Sequence, residues 1–405
     1  MWTLLLAAGC GWLGARFAGA PTVCAPGAPD ACLHAGEALL RASPPDLAGA
    51  ASRFEQACTD GQLRACTSLG VQVQDGRGVP RDPDRAAALY EQACAGGLGV
   101  GCLNLAWLHQ TGNAGVADDE AATEDYGRAL DRFRASCARP EPWREQPGGP
   151  TDCANLGLVL EAGFGVTLPD PQGAHEAYAL GCEHGEADAC TNLALNALER
   201  GDPDVGAAVD RLTGACRDGS GAGCAALGQV LLRGQVGIPA DPERAVGLLT
   251  EACDLAYAQG CTALAQVLGQ GEAPADPDRA RAAAARACAL GDSTGCMVLG
   301  YQAAEARAFD RAAERFTAAC HIGAADGCAM VGALHERGDL GAPDPAAAAV
   351  WYTEACRRND PGACVELLRA GRPLPLNSGA LDTFLEEACS HDVAEACSVV
   401  PGGAP

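Results

Sequence analysis

The spacing of the cysteines constrains this chain more than any other feature. Apart from Cys10, the cysteines fall into eleven successive pairs. Ten pairs have seven intervening residues: Cys24/Cys32, Cys58/Cys66, Cys94/Cys102, Cys182/Cys190, Cys216/Cys224, Cys253/Cys261, Cys288/Cys296, Cys320/Cys328, Cys356/Cys364 and Cys389/Cys397. The remaining pair, Cys137/Cys153, has fifteen. A set this large, even and regular implies disulfides, and disulfides imply an oxidising compartment. Zinc would require C-x2-C clusters or closely spaced His partners, and the seven His show neither. In the chain-entropy model, closing a loop of about nine residues stabilises by roughly 2–3 kcal/mol. Local staples of this kind compensate for thin cores.

The cysteines also set a period. First members of successive pairs lie mostly 32–37 residues apart, the size of a two-helix repeat. In the segment 75–94, Asp82 is placed to cap a helix, Pro83 fits its first turn, and Ala86, Leu89, Tyr90 and Ala93 recur at helical spacing. The phrase returns at 240–253, 275–288 and 342–356, and Asp-Pro pairs at Asp170-Pro171 and Asp202-Pro203 are expected to open the corresponding helices. In five of these six cases the Pro stands eleven residues before the Cys. The other helix type begins at the second Cys of each pair and reads Cys-x-x-Leu-Gly/Ala-x-x-apolar, as in Cys66, Leu69, Gly70, Val73 or Cys224, Leu227, Gly228, Leu231. A small residue four places after Cys lets helices approach closely. Each bridge should therefore join the end of one helix to the first turn of the next, antiparallel one. The composition agrees: hydrophobic residues are 48% of the chain and aromatics only 4%, which suits closely packed helices and not β-rich folds. The expected fold is an all-α solenoid of helix–turn–helix repeats, stapled by disulfides.

Cys-x-x-Leu-Gly, a Gly-x-Gly-Val loop and Asp-Pro-x-Arg-Ala…Tyr-x-x-Ala-Cys together resemble the Sel-one-like repeat family. The eight-residue step between cysteines resembles its disulfide-rich branch, the Helicobacter cysteine-rich proteins. The best matches are Gly76-Arg77-Gly78-Val79 with Tyr90 and Cys94, and Gly163-Phe164-Gly165-Val166 with Tyr178 and Cys182. Repeats around 262–320 lack the Gly-Val loop, so there the assignment leans on the cysteines. The resemblance implies a curved α/α superhelix acting as an adaptor or secreted ligand-binding protein. Some members of that branch carry a β-lactamase or penicillin-binding label, which implies an alternative: binding of β-lactams or peptidoglycan fragments with weak hydrolysis.

The residues speak against catalysis. All 28 basic residues are Arg, so neither Ser-x-x-Lys nor a P-loop can exist. His175-Glu176 and His335-Glu336 begin H-E-x-x-H, but Ala179 and Asp339 occupy its last position; these histidines read as exposed helix residues. No G-x-S-x-G elbow occurs, and neither a cofactor nor a resident metal is expected. The net charge of −24 opposes nucleic acid, whose phosphates need clustered cations.

For binding, Asn104, Asn155 and Asn192 share one register, two residues after their Cys in consecutive repeats, and Trp107 lies one turn from Asn104. An amide both donates to and accepts from a peptide backbone. In similar repeat folds this face lines the concave groove, so a protein or peptide partner is expected there; the competing reading has these Asn bonding a neighbouring repeat. Residues 138–152, with Trp143, read as an irregular loop, more simply a tolerated insertion than a contact site.

Residues 1–20 read as an export segment, 21–397 as about ten repeats and 398–405 as a tail. Two export readings stand. Ala7-Ala8-Gly9-Cys10 resembles a lipobox, which would make Cys10 a lipidated first residue and the lipid the only membrane attachment. Alternatively, Ala18-Gly19-Ala20 is an A-x-A cleavage site releasing a secreted chain from Pro21. The lipoprotein reading is preferred, placing the chain in the periplasm or at the cell surface.

Overall fold

The computed structural model describes residues 28–375, apart from short breaks at 43–44, 112–117, 139–150, 166–167, 202–203, 235–236, 271–274 and 359. Cys10, Cys24, Trp143, Cys389 and Cys397 lie outside the described residues, as do the export segment and the tail. The described residues form nineteen helices, paired as repeats. The first four pairs are α1 (Pro29–Arg41) with α2 (Leu47–Thr59), α3 (Leu63–Asp75) with α4 (Pro83–Ala95), α5 (Gly99–Thr111) with α6 (Asp119–Cys137), and α7 (Thr151–Ala162) with α8 (Pro171–Glu183). Three more follow: α9 (Ala187–Glu199) with α10 (Val205–Arg217), α11 (Gly221–Arg233) with α12 (Pro242–Asp254), and α13 (Ala258–Gln270) with α14 (Pro277–Leu290). The last are α15 (Ser293–Glu305) with α16 (Phe309–Ile322), α17 (Ala325–Arg337) with α18 (Pro345–Arg357), and α19 (Pro361–Arg369). The chain divides into two units after Gly291; the first holds α1–α14 and the second α15–α19.

Among the described second helices all but α16, whose N-cap Ala308 makes no side-chain bond, start at a capping Asp. Asp82, Asp170, Asp241 and Asp276 accept the N–H of the third helical residue at 2.8–3.1 Å, with Pro in the first turn. This satisfies one donor that the helix itself leaves unpaired. The expectation of a helix opening at Asp202-Pro203 is corrected: α10 begins at Val205, capped by Asp204, which accepts from Ala207 N–H at 2.9 Å. Asp204 stands twelve residues before Cys216, as Asp82 does before Cys94. The cap, not the proline, keeps register with the bridge.

Eight bridges are described: Cys58–Cys66, Cys94–Cys102, Cys137–Cys153, Cys182–Cys190, Cys216–Cys224, Cys253–Cys261, Cys320–Cys328 and Cys356–Cys364. Their Cα atoms lie 4.5–4.9 Å apart, within the range a disulfide spans without distortion. Cys32, Cys288 and Cys296 are also disulfide-bonded. The turn between bridged helices needs a left-handed residue three places after the first Cys. Gly61, Gly97, Gly185 and Gly219 supply it with φ of 80–97°. Ala256 stands in the same place at φ 61°.

The small residue after each second Cys has a defined role. A methyl added at Gly36, Gly70, Gly157, Gly300 or Gly332 would collide with the ring of Phe54, Tyr90, Tyr178, Phe316 or Tyr352, each on the partner helix of the same repeat. All five rings are buried. The tyrosine hydroxyls then donate to the end of the first helix: Tyr90 to Gln74 at 3.1 Å, Tyr178 to Glu161 at 3.0 Å and Tyr352 to Glu336 at 2.8 Å. In these five repeats one ring fills the space between helices whose other core residues are mostly Ala, Leu and Cys.

Neighbouring repeats of the first unit meet most closely where the second helix of one packs on the first helix of the next. From α7 to α13, successive first helices pack on each other more closely than successive second helices do.

Candidate binding face and its polar groups

Asn104, Asn155 and Asn192 all lie on first helices, α5, α7 and α9, in one register. Asn155 is buried, at 8% exposure, while Asn104, Trp107 and Asn192 are half-buried. The Nδ2 atoms of Asn104 and Asn155 are closed off from solvent and have no acceptor. Neither makes the bond to a neighbouring repeat that a structural role would supply. That role falls instead on Asn196, one turn beyond Asn192. Its Nδ2 donates to Glu161 Oε1 of the preceding repeat at 3.1 Å, and its Oδ1 lies 3.4 Å from His175 Nδ1. Glu161 also accepts from Tyr178, whose own hydroxyl is held far above the ordinary tyrosine range by burial and by this carboxylate. His175 on α8 and His335 on α17 are half-buried, not exposed as the sequence suggested.

A second polar row follows the starts of the first helices. Gln62 donates to Asp30, and Ser220 donates to Asp188 at 2.7 Å, each across 32 residues. Glu186 accepts Ala154 N–H at 3.3 Å, again across 32 residues. The residue just before one first helix thus bonds the first turn of the preceding one. In repeats four and five this row is rich in carboxylates. Burial raises the Asp152 pKa to about 6, opposed by a Ser136 hydrogen bond and by Arg64. Glu186 is pushed well up by burial and by Asp188 and Asp152, and Asp188 is raised by its own burial. Asp152 Oδ1 and Glu186 Oε2 have no hydrogen-bond partner. A third network joins repeats two and three: Arg128 pairs with Glu91 at 2.9 Å and with buried Asp125 at 2.8 Å, and Asp125 also meets His109 Nδ1 at 2.9 Å. Sequence reasoning missed Asp152, Glu186 and Asn196, because their partners stand about one repeat away.

Cys216, Cys224 and Glu251 bring ligand-type atoms within 4.8 Å of one another. Both sulfurs are committed to a bridge, so only the Glu251 carboxylate remains for a metal. No helix among the described residues is long and apolar enough to cross a membrane.

These features define an α/α repeat scaffold: stacked helix pairs, oxidised bridges at each described joint, and one face lined by first helices. Six stretches, 63–98, 99–124, 151–186, 221–257, 258–292 and 325–360, match the Sel1 repeat, together more than half of the residues. The chain belongs to the Sel1 repeat family. Segment 293–324 is not among the matched stretches, yet it forms the helix pair α15–α16 with the same ring-over-glycine contact. Among solved structures, the chain is similar to c5321, a protective antigen of uropathogenic Escherichia coli strains displaying an SLR fold, at 18% identity and a TM-score of 0.45 over 92% of this chain and 86% of that one. It is similar to a Sel1 repeat protein of Oxalobacter formigenes at 20% identity and a TM-score of 0.39, covering 58% and 92%. It is also similar to the immunity protein Pa5087 of Pseudomonas aeruginosa at 16% identity and a TM-score of 0.41, covering 58% and 84%. No curated protein matches the chain by sequence.

Proposed function

We propose that the chain is an extracytoplasmic scaffold that holds an extended peptide segment of a partner protein along the first-helix face of its first unit. The observation that carries this reading is the pair of closed-off, unbonded amide groups at Asn104 and Asn155, repeated in one register on consecutive repeats. A buried donor without an acceptor costs about 1–3 kcal/mol, and a peptide carbonyl recovers that cost. Asn104 is half-buried as a residue, so part of its side chain meets solvent. Half-buried Trp107, one turn away, adds a large amphipathic surface of the kind that anchors contacts.

The compartment follows from the oxidised bridges. Export by lipidation at Cys10 is the preferred route, with cleavage after Ala20 as the other; the intact mass of the mature chain separates them. The binding test is a peptide-library screen on the oxidised full chain, followed by affinity measurement for the Asn104→Ala/Asn155→Ala/Asn192→Ala variant. The expected loss is at least tenfold, and unchanged affinity would remove this face as the site. Saturable hydrolysis of a chromogenic β-lactam that disappears on denaturation would replace the scaffold reading with the enzymatic one.

A further inference from the structure

Repeat arrays of this type normally place each repeat in contact only with its neighbours. The first unit departs from that rule. Arg286, on α14 of the seventh repeat, spreads its guanidinium over three backbone carbonyls: Cys253 O from Nε at 3.0 Å, Ala42 O from Nη1 at 2.8 Å and Arg41 O from Nη2 at 3.0 Å. The last two belong to the C-terminal end of α1, more than 240 residues away in sequence. The reverse contact is also made. Arg77, in the loop after α3, donates from Nε at 3.2 Å and from Nη2 at 2.8 Å to Ala289 O, in the last turn of α14. Gly291, which ends that helix, lies against the Arg77 guanidinium, and a methyl there would collide with it.

The chemistry suits the place. The last carbonyls of a helix have no partner within it and carry the negative end of its dipole. A guanidinium offers five donors in a rigid plane and stays charged, so one arginine can serve carbonyls from two helices at once. The two contacts are reciprocal: the second repeat holds the end of α14, and α14 holds the end of α1.

We propose that Arg77 and Arg286 form a latch that closes one superhelical turn of the first unit, fixes the curvature of its first-helix face and couples the first repeats to the seventh. The functional consequence, a groove of set radius, rests on the binding reading above; the latch itself does not. The test uses the oxidised full chain, its Arg77→Ala/Arg286→Ala variant and Arg286→Lys, which keeps the charge but loses the planar fork. Hydrogen exchange is read at Ala42 and Asp46, whose amides bond Leu39 O, and at Gly291, whose amide bonds Cys288 O. The double variant should exchange at these three amides roughly tenfold faster, with a larger maximum dimension by small-angle scattering and unchanged helical circular dichroism. Arg286→Lys should show an intermediate rise confined to Ala42 and Asp46. Unchanged exchange and unchanged dimensions in the double variant would overturn the latch. Neither readout involves peptide affinity, so a failed binding screen and a failed latch are distinguished from each other.

Discussion

The second and seventh repeats share a period, a cap and a bridged joint, yet different contacts hold them. In the second, the Tyr90 ring lies over Gly70 and its hydroxyl reaches Gln74. In the seventh, the corresponding positions are Ala284 and Ala265, and no ring stands between the helices. The turn leaving the second repeat uses Gly97, whereas the turn entering the seventh forces Ala256 into left-handed backbone. Where Glu186 precedes α9, the half-buried Tyr257 precedes α13, with its Cβ against Gly221. The seventh repeat thus packs its helices without a ring and is more strained at its entering joint. It is also the repeat that carries Arg286, bonded to the far end of the unit. Arg77 of the second repeat bonds the end of α14 in turn, so the same contact ties both repeats together.

The largest break in this comparison should come from Tyr90→Ala. Removing a fully buried ring and leaving Gln74 without its donor should cost about 3–5 kcal/mol by thermal or chemical denaturation of the oxidised chain. Ala284→Gly, at the matching place in the seventh repeat, should cost only about 1 kcal/mol, set by helix propensity. Equal losses would show that the two repeats are filled alike.

Next in size is an electrostatic difference. Repeats four and five bury carboxylates that the seventh lacks. Asp152 has its pKa raised from 3.8 to about 6 in the folded chain, so the folded state holds more protons between those values. Stability contributed there is present at low pH and is lost as pH rises from about 4 to about 6. Asp152→Asn should therefore stabilise by roughly 1–2 kcal/mol at pH 7.5 and give no gain at pH 4. A gain of equal size at both pH values would mean that burial of the charge is not the cause.

The smallest effects lie at the turns. Ala256→Gly should stabilise by about 1 kcal/mol, because a side chain there strains the left-handed backbone. Gly97→Ala should destabilise by a similar amount, since an added methyl at Gly97 meets no atom within 4 Å and only the backbone conformation is at stake. A pair of calorimetric melts reads both signs, and a shift of the same sign in both would refute the account.

Much of the fold was legible in the sequence because its signals are local. The cap, the bridge and the left-handed turn each involve residues within about one helix of one another, and their fixed offsets from Cys repeat down the chain. Even the misread start of α10 followed this logic, since Asp204 keeps the offset that Pro203 does not. The candidate face was half legible. The shared register of Asn104, Asn155 and Asn192 is a sequence fact. That the first two have no acceptor, while Asn196 holds the inter-repeat bond to Glu161, depends on which side chain the neighbouring repeat presents.

The sequence by itself determined the unit and its joints: helix pairs on one period, most of them capped at one place and all stapled at their joints, because backbone hydrogen bonding and loop closure act over short stretches of chain. Tertiary structure alone decided where the array meets itself. Whether Arg286 reaches the end of α1 depends on the small rotation between successive repeats accumulated over seven of them, and no single repeat encodes that sum. The same accumulation sets which polar groups end up buried without partners, and so which face is left to take a ligand.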